Sequence, residues 1–310
     1  MNIWKNFLQK LKEWVFRKEL ETNIEIHSDG QELKKSLEIQ VNSRRKNRLE
    51  REPYFVQIGF DFGTAYSKCV CRDVITNKAW VYIPYKSDCN EYPFLIPSSL
   101  LLRNGKLSHV ENPGREYQKD GLYYLKYALG KVSLCEWNDP ILDLYRKLSG
   151  ISNEKKLVTL VENCTIYFLA GVFGEIRNQI KERFPYFGLH KDDYMAVNLA
   201  VPVADAEHPQ VNRLYQNVLC NAWALADQFK EHPAIDISEV ERSVMDIINE
   251  ENKSHSDICF IYPETSANVQ GFVRSRVSRP GIYLFSDTGA GTVNQSVFIF
   301  LTELLHFSKA

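Results

Sequence analysis

The sequence has almost no excess of charge of either sign. Its 38 lysine and arginine residues nearly balance 39 aspartate and glutamate residues, and the formal net charge of the 310-residue chain is -1. Because a nucleic-acid-binding protein normally has a basic face or stripe, no nucleic acid is expected as a partner. Hydrophobic residues make up 44% and charged residues 25%, which favours a soluble globular protein with one large or two medium domains.

Cysteine is present, but not in a pattern typical of disulfides or metal sites. The seven cysteines are an odd number without a C-x-x-C pair, so neither a disulfide framework nor a zinc site is indicated. Cys69 and Cys71 lie two residues apart on a predicted strand and therefore point to the same face. Buried packing is the simpler interpretation of this pair, and metal binding is the alternative. The histidines show no H-x-x-x-H spacing and have the same simple interpretation.

Two common phosphate-binding motifs are also missing. A dinucleotide site needs GxGxxG between a strand and a helix, and a P-loop needs GxxxxGK[ST] in the same setting. The chain instead has two glycine-containing segments that each predict a strand, an aspartate, a small-residue turn and a second strand. These segments are Ile58–Ser67 (IGFDFGTAYS) and Leu284–Thr292 (LFSDTGAGT). Two such turns facing each other can hold the phosphates of a nucleotide, and this pair is the main indication of function.

The chemistry of the two turns predicts a nucleotide bound together with a cation. Backbone N–H groups and the hydroxyls of Thr64 and Thr292 can point at phosphate oxygens, because glycine lets the backbone come close. Asp61 and Asp287, expected at the ends of adjacent strands, are candidate ligands of Mg²⁺, directly or through its waters. Two carboxylates without a cation would repel phosphate, so the arrangement requires the metal.

The N-terminus differs in kind from the rest of the chain. Met1–Leu20 predicts an amphipathic helix with a basic polar side, and lysines interrupt its apolar runs too often for a signal peptide. The helix suits an anionic membrane surface, and docking on a partner protein or on its own domain is the alternative. Residues 21–53 predict a charged linker containing RRKNRLER, with the folded part beginning near Pro53. We expect a cytoplasmic protein, either free or peripheral to a membrane.

Downstream of the linker, the pattern predicts an α/β fold. Three strands joined by short turns come first and are expected to pair antiparallel, at Val56–Asp61, Ser67–Arg72 and Ala79–Pro84. Later strands alternate with helices, which implies parallel pairing with right-handed crossovers and a mixed sheet covered by helices. The predicted later elements are helix 156–184, strand Tyr194–Val201, helix Pro209–Phe229, strand Ile258–Tyr262, helix Ser266–Val277 and strand Ile282–Ser286.

Six segments in order make the chain resemble the superfamily of actin, sugar kinases and seventy-kilodalton heat-shock chaperone ATPases, and its chaperone branch most. They are IGFDFGTAYSKCV at 58–70, IPSSL at 96–100, LKYALGK at 125–131, VNLAVPVADAEHPQVNRLYQNV at 197–218, YPETSANV at 262–269 and LFSDTGAGTVNQSVF at 284–298. The resemblance implies a ribonuclease H-like ATPase lobe over residues 54–280, with a second lobe beginning at 281–310. ATP, ADP and Mg²⁺ are the implied ligands.

The resemblance also implies roles for individual residues. Asp61 and Asp287 would organise the metal, with Asp287 also counted among the catalytic residues. Lys126 matches the catalytic lysine of the chaperones, although a surface lysine on a helix is the alternative. Glu264 matches their connecting-motif glutamate, but it follows a proline where the family places proline after the glutamate. The residues expected around the terminal phosphates are Gly63, Thr64, Ala65 and Tyr66 on one side and Gly289, Ala290, Gly291 and Thr292 on the other.

Several departures from the family pattern bear on activity. Ala290 replaces a glycine, Ala65 replaces a threonine or similar residue, and Asn294 stands where the chaperones have an aspartate. Tyr127 replaces a basic residue beside the catalytic lysine position. The chain also ends soon after Asp287, before the adenosine motif of the family, so a truncated lobe is expected. Two hypotheses follow: an ATP-hydrolysing module completed by a missing half, or a non-catalytic remnant or scaffold protein that lost nucleotide turnover.

Overall fold

A computed structural model describes residues 51–85, 92–110, 119–201, 208–229, 234–249, 255–273, 275, 278–289 and 293–301. The chain divides into two units after Arg51, and the second unit spans Glu52–Ala310. The predicted helix at 1–20 and nearly all of the charged linker lie outside the described residues.

Twelve strands and six helices make up the described part of the chain. The strands are β1 Phe55–Asp61, β2 Tyr66–Asp73, β3 Lys78–Val81, β4 Ile96–Pro97, β5 Leu100–Arg103, β6 Lys106–His109, β7 Gly121–Leu122, β8 Tyr194–Val201, β9 Ala234–Asp236, β10 Cys259–Pro263, β11 Gly281–Thr288 and β12 Val293–Phe300. The helices are α1 Leu125–Ser133, α2 Pro140–Ser149, α3 Glu154–Arg183, α4 Pro209–Phe229, α5 Ile237–Asn249 and α6 Glu264–Val273.

The main sheet has the strand order β10-β8-β1-β2-β3, and the short β4 pairs with β2. β1, β2 and β3 are antiparallel neighbours, whereas β8 and β10 run parallel to β1. The predicted α/β architecture with a mixed sheet and flanking helices is therefore confirmed. Alternate residues of β2 are buried, as in a strand with one face on the core and the other in solvent.

Helix α3 is the centre of the core. Its 30 residues include an unbroken buried run from Asn163 to Gly174, and the side chain of Asn153 caps its first turn by accepting from Lys156 N. It is long and apolar enough to cross a membrane, but 78% of its most apolar 18-residue window is buried inside the protein. That burial is typical of the core helix of a globular protein, since a helix hydrophobic all round must be surrounded.

A second, four-stranded sheet lies beside α3, with the order β7-β5-β6-β9. His109, at the end of β6, packs on the helix where Gly171 leaves space: a Cβ on Gly171 would lie 2.3 Å from His109 Nε2. That nitrogen is buried without a hydrogen-bond partner among the described residues. Burial lowers the pKa of His109 to about 4.

Strands β11 and β12 form a separate two-stranded sheet. One face packs on α6, where Phe272 contacts the rings of Tyr283 and Phe298. The other face is apolar and exposed, with cross-strand pairs Ile282–Ile299 and Leu284–Val297. A continuous exposed apolar surface of this kind promotes association.

Candidate functional site

The turn between β1 and β2 is the first predicted phosphate loop. Gly63 N donates to the carbonyl oxygen of Asp61 at 3.0 Å, and Ser98 N donates to that of Ala65 at 2.9 Å. A Cβ on Gly63 would lie 1.9 Å from the carbonyl oxygen of Tyr66, so only glycine fits this backbone. The turn therefore has the tight backbone packing for which glycine is needed. The Gly63 N–H already donates to Asp61 within the turn.

Asp61 lies at the end of β1, opposite Lys68 on β2. Lys68 Nζ is 3.2 Å from Asp61 Oδ2, and both side chains are about half exposed. The sequence reasoning missed this lysine. In the antiparallel register of β1 and β2, residues 62–67 separate residues 61 and 68, which lie directly across from each other. The candidate metal ligand therefore has a cation beside it that a metal ion would have to displace.

Three parallel strands end beside this turn. β1, β8 and β10 are in register, with Ala200 opposite both Asp61 and Tyr262. At a strand spacing of about 4.8 Å, the backbones at Asp61 and Tyr262 are separated by about 10 Å across the edge. Glu264 begins α6 immediately after β10, so this topology brings the glutamate to the same carboxyl edge as Asp61.

Glu264 and Lys126 form a buried ion pair. They are 138 residues apart in sequence, and Lys126 Nζ donates to Glu264 Oε1. Their side chains are only 7% and 10% exposed, so the alternative of a surface lysine on a helix is wrong. Tyr215 on α4 donates to the carbonyl oxygen of Lys126 at 3.1 Å, a buried contact that the sequence reasoning did not identify. Two of the three residues implied as catalytic, Lys126 and Glu264, are thus brought together.

Local backbone explains how Lys126 reaches this position. Tyr124 precedes α1 in the left-handed conformation, with φ of 59°, and Lys126 is the second residue of the helix. Tyr127, which replaces the basic residue expected beside the lysine, donates to Asp139 Oδ2 at 2.9 Å. Asp139 in turn caps α2 by accepting from Ile141 N. The hydroxyl of Tyr127 therefore connects α1 to Asp139 at the start of α2.

The second predicted loop is not placed as expected. Asp287 lies within β11 opposite Asn294, and β11 pairs with β12 rather than with any strand of the main sheet. The expectation that Asp61 and Asp287 end adjacent strands is wrong, because both edges of β1 are already occupied by β2 and β8. Gly289 is exposed, whereas Ala290, Gly291 and Thr292 lie outside the described residues.

The residues present allow a metal bound through a nucleotide rather than in an all-protein cage. The part of the chain that the structure describes contains no group of three or more His, Cys, Asp and Glu side chains placed to hold a metal ion. Mg²⁺ is commonly held by one or two carboxylates together with substrate phosphates and water. Asp61, half exposed at the carboxyl edge, fits that mode.

The site thus consists of the β1–β2 turn with the Asp61–Lys68 pair, and the buried Lys126–Glu264 pair at the same edge of the sheet. The glycine turn can approach a phosphate group closely. The carboxylate of Asp61 can bind a cation, and the ammonium group of Lys126 can interact with an anion. No protein-family model matches this chain, and no curated protein matches it either.

Proposed function

We propose that this chain is a chaperone-like ATP-binding lobe of the ribonuclease H-like ATPase type, holding Mg-ATP phosphates at the carboxyl edge of its main sheet. The observation that carries the proposal is the buried Lys126–Glu264 pair, which the fold assembles from positions 138 residues apart. Burying two opposite charges costs several kcal/mol per ion before their attraction is counted, so such a pair is not a routine solution for stability. Its place at the same sheet edge as the glycine turn supports a functional role.

The topology supports the same place for a ligand. From β1 the chain adds β2 and β3 on one side of this strand and later β8 and β10 on the other, so the strand order reverses at β1. In open α/β sheets, ligands bind in the crevice outside the carboxyl ends of strands where the topology switches. Asp61 and the β1–β2 turn lie at that position.

Each residue of the site has a distinct part in binding the phosphates. The Thr64 hydroxyl and the backbone of the turn would contact phosphate oxygens, and Asp61 would exchange Lys68 for the metal. Mg²⁺, when bound, offsets the negative charge of the phosphates. Glu264 fixes Lys126 Nζ at the edge of the sheet, where the ammonium group would stabilise charge on the terminal phosphate.

The β11–β12 hairpin is connected to this site through helix α6. Glu264 is the first residue of α6, and Phe272 near its end packs on the hairpin. Asp287 and residues 289–292 are the proposed phosphate-binding residues of this hairpin. A change in the position of α6 would therefore move Glu264 and the hairpin together.

The alternative function is a non-catalytic binding or scaffold protein. One observation favours it: both candidate ligand-binding charges already have a partner of opposite charge within the protein. Asp61 is paired with Lys68, and Lys126 is paired with Glu264. The replacements Ala65 and Ala290 point in the same direction. Under this alternative the site retains its fold without turning over nucleotide.

Calorimetric titration of Mg-ATP into the full-length protein tests whether the site binds the nucleotide. Asp61→Asn should weaken binding at least tenfold, or about 1.4 kcal/mol, because it removes the metal ligand. Asp120→Asn is a matched control, since Asp120 forms a comparable half-exposed pair with Arg103. It should leave the affinity unchanged. Wild-type affinity weaker than millimolar, or equal effects of both variants, would reject the ATP-binding proposal.

If Mg-ATP binds, phosphate release distinguishes turnover from binding alone. Lys126→Met should abolish turnover, and Lys126→Arg should restore part of it if a cation at this position is what matters. An unchanged rate in Lys126→Met would remove the lysine from the mechanism. Binding without detectable phosphate release by the wild-type protein would establish the scaffold alternative.

A further inference from the structure

Two cysteines on different elements lie together away from the carboxyl edge. Cys220 is on α4, and Cys259 is the first residue of β10. Gln216 joins them: its Nε2 donates to Cys220 Sγ at 3.3 Å and to the carbonyl oxygen of Cys259 at 2.9 Å. Each thiol is also near enough to the other to shift its pKa. The sequence contains no short-range signal for this pair, because the cysteines belong to separate predicted elements.

The two thiols have different environments. Cys220 is partly exposed, whereas Cys259 is 1% exposed. The neighbouring Cys259 thiol, together with the hydrogen bond from Gln216, lowers the pKa of Cys220 to about 7. Interaction with Cys220 and burial raise the pKa of Cys259. Cys220 is therefore the accessible thiol with thiolate character at neutral pH, and the thiolate is the reactive form of cysteine.

We propose that Cys220 and Cys259 are a peroxide-sensitive thiol pair that is oxidised to an intramolecular disulfide. The Cys220 thiolate attacks hydrogen peroxide, so that an S–O bond forms, the O–O bond breaks and hydroxide leaves to become water. The Cys259 sulfur then attacks the Cys220 sulfenic acid, forming the S–S bond. The S–O bond breaks, and the departing hydroxide takes the Cys259 proton as a second water. Two thiols are oxidised and one peroxide is reduced.

The other close cysteine pair of the described residues does not suit this reaction. Cys69 and Cys71 have sulfur atoms 3.9 Å apart, but both are buried. They are also alternate residues of one strand, whose Cα atoms lie about 6.6 Å apart along the strand axis, near the upper limit for a disulfide. Cys135 is exposed and serves as a control for accessibility alone.

The disulfide would connect two elements that support the Lys126–Glu264 pair. α4 carries Tyr215, which donates to the carbonyl oxygen of Lys126, and β10 leads directly into Glu264. A covalent link between α4 and the start of β10 restrains both elements from moving apart. The thiol pair itself does not depend on the proposed nucleotide function, since it is defined by contacts remote from the phosphate turn.

The test is peroxide oxidation of the reduced, folded full-length protein, followed by alkylation of remaining thiols and peptide mass spectrometry. Low equivalents of peroxide should produce a peptide linking Cys220 to Cys259, which dithiothreitol reverses. Cys259→Ser should stop at a sulfenic acid on Cys220 that a dimedone probe captures. Cys220→Ser should leave Cys259 unoxidised, and Cys135→Ser should behave as wild type. Circular dichroism verifies that each variant is folded.

Three results would overturn the proposal. The first is sulfenic acid on wild-type Cys220 that never proceeds to the disulfide. The second is oxidation of Cys135 at least as fast as that of Cys220, which would mean that exposure alone decides reactivity. The third is a Cys220–Cys259 disulfide that forms only in urea-unfolded protein, because the folded geometry would then play no part.

Discussion

Replacing Lys126 by methionine should destabilise the protein more than any substitution of a surface ion pair. Lys126→Met keeps much of the side-chain volume but removes the cation from beside Glu264, whose side chain is 10% exposed. Removing one partner of a buried ion pair typically costs about 3–5 kcal/mol, whereas exposed pairs contribute about 0–1 kcal/mol. Domains are stable by about 5–15 kcal/mol, so the variant should still fold but with a markedly lower free energy of unfolding.

Equilibrium unfolding in urea, with unchanged m values, measures this effect. Glu264→Gln should cost a similar amount, and the double variant should lose less than the sum of the two single losses because the residues contact each other. Arg103→Met, which removes the cation from the half-exposed pair with Asp120, is the control and should cost less than about 1 kcal/mol. A loss below 1 kcal/mol for Lys126→Met, or strict additivity in the double variant, would refute the buried pair.

Four further predictions concern other parts of the chain. Gly63→Ala should cost at least about 2 kcal/mol by overpacking against backbone, whereas Gly271→Ala, in helix α6 with open space around it, should be neutral or stabilising. The folded-state pKa of His109, about 4, is below its ordinary 6.5, so stability present above pH 6.5 is lost as pH falls towards 4. Wild type should lose up to about 2 kcal/mol more than His109→Leu between pH 7 and pH 5. Leu284→Lys, on the exposed hairpin face, should reduce self-association in light scattering with little change in stability. Deleting residues 1–20 should abolish flotation with anionic liposomes.

Each of these predictions has a result that contradicts it. Equal stability of both alanine variants in urea would mean that the turn accepts a side chain. Parallel pH profiles for wild type and His109→Leu would remove that histidine as the source of acid sensitivity. Phe298→Lys, on the packed face of the β11–β12 hairpin, should destabilise the protein. An equal loss of stability in Leu284→Lys would contradict the exposure of the opposite face. Equal recovery of full-length and shortened protein with anionic liposomes would exclude the membrane role.

The long elements were predictable from local pattern. β8 and α4 have the predicted bounds, Tyr194–Val201 and Pro209–Phe229, because each has a regular apolar pattern. The short sheet β7-β5-β6-β9 was not predicted. Its β5–β6 hairpin has a local signal, the Asn104–Gly105 turn, whereas β7 and β9 come from more distant segments. α2 and α5 were also missed. Pro140 and Gly150 at the ends of α2 are the boundary signals that would have identified it.

The candidate site was predictable as separate residues, not as a geometry. The resemblance implied roles for Lys126 and Glu264, but their contact depends on three in-register parallel strands that no local pattern specifies. Lys68 and Tyr215 lie within two of the resembling segments, but at positions to which the resemblance assigns no role. The predicted adjacency of Asp61 and Asp287 failed because β11 pairs within its own hairpin, a preference that two similar motifs do not reveal.

The parallel pairing of β1 with β8 has a consequence for biosynthesis. Tyr54 N bonds Asp193 Oδ1 across 139 residues, so β1 emerges from the ribosome long before its parallel partner. The β1–β2–β3 hairpins can form early, but α3, whose segment Asn163–Gly174 is buried on every side in the folded protein, is synthesised between the two strands. Non-local pairings of this kind slow folding. The nascent chain therefore carries an uncovered core helix until β8 and α4 have been translated, and this interval is when it most needs protection from aggregation.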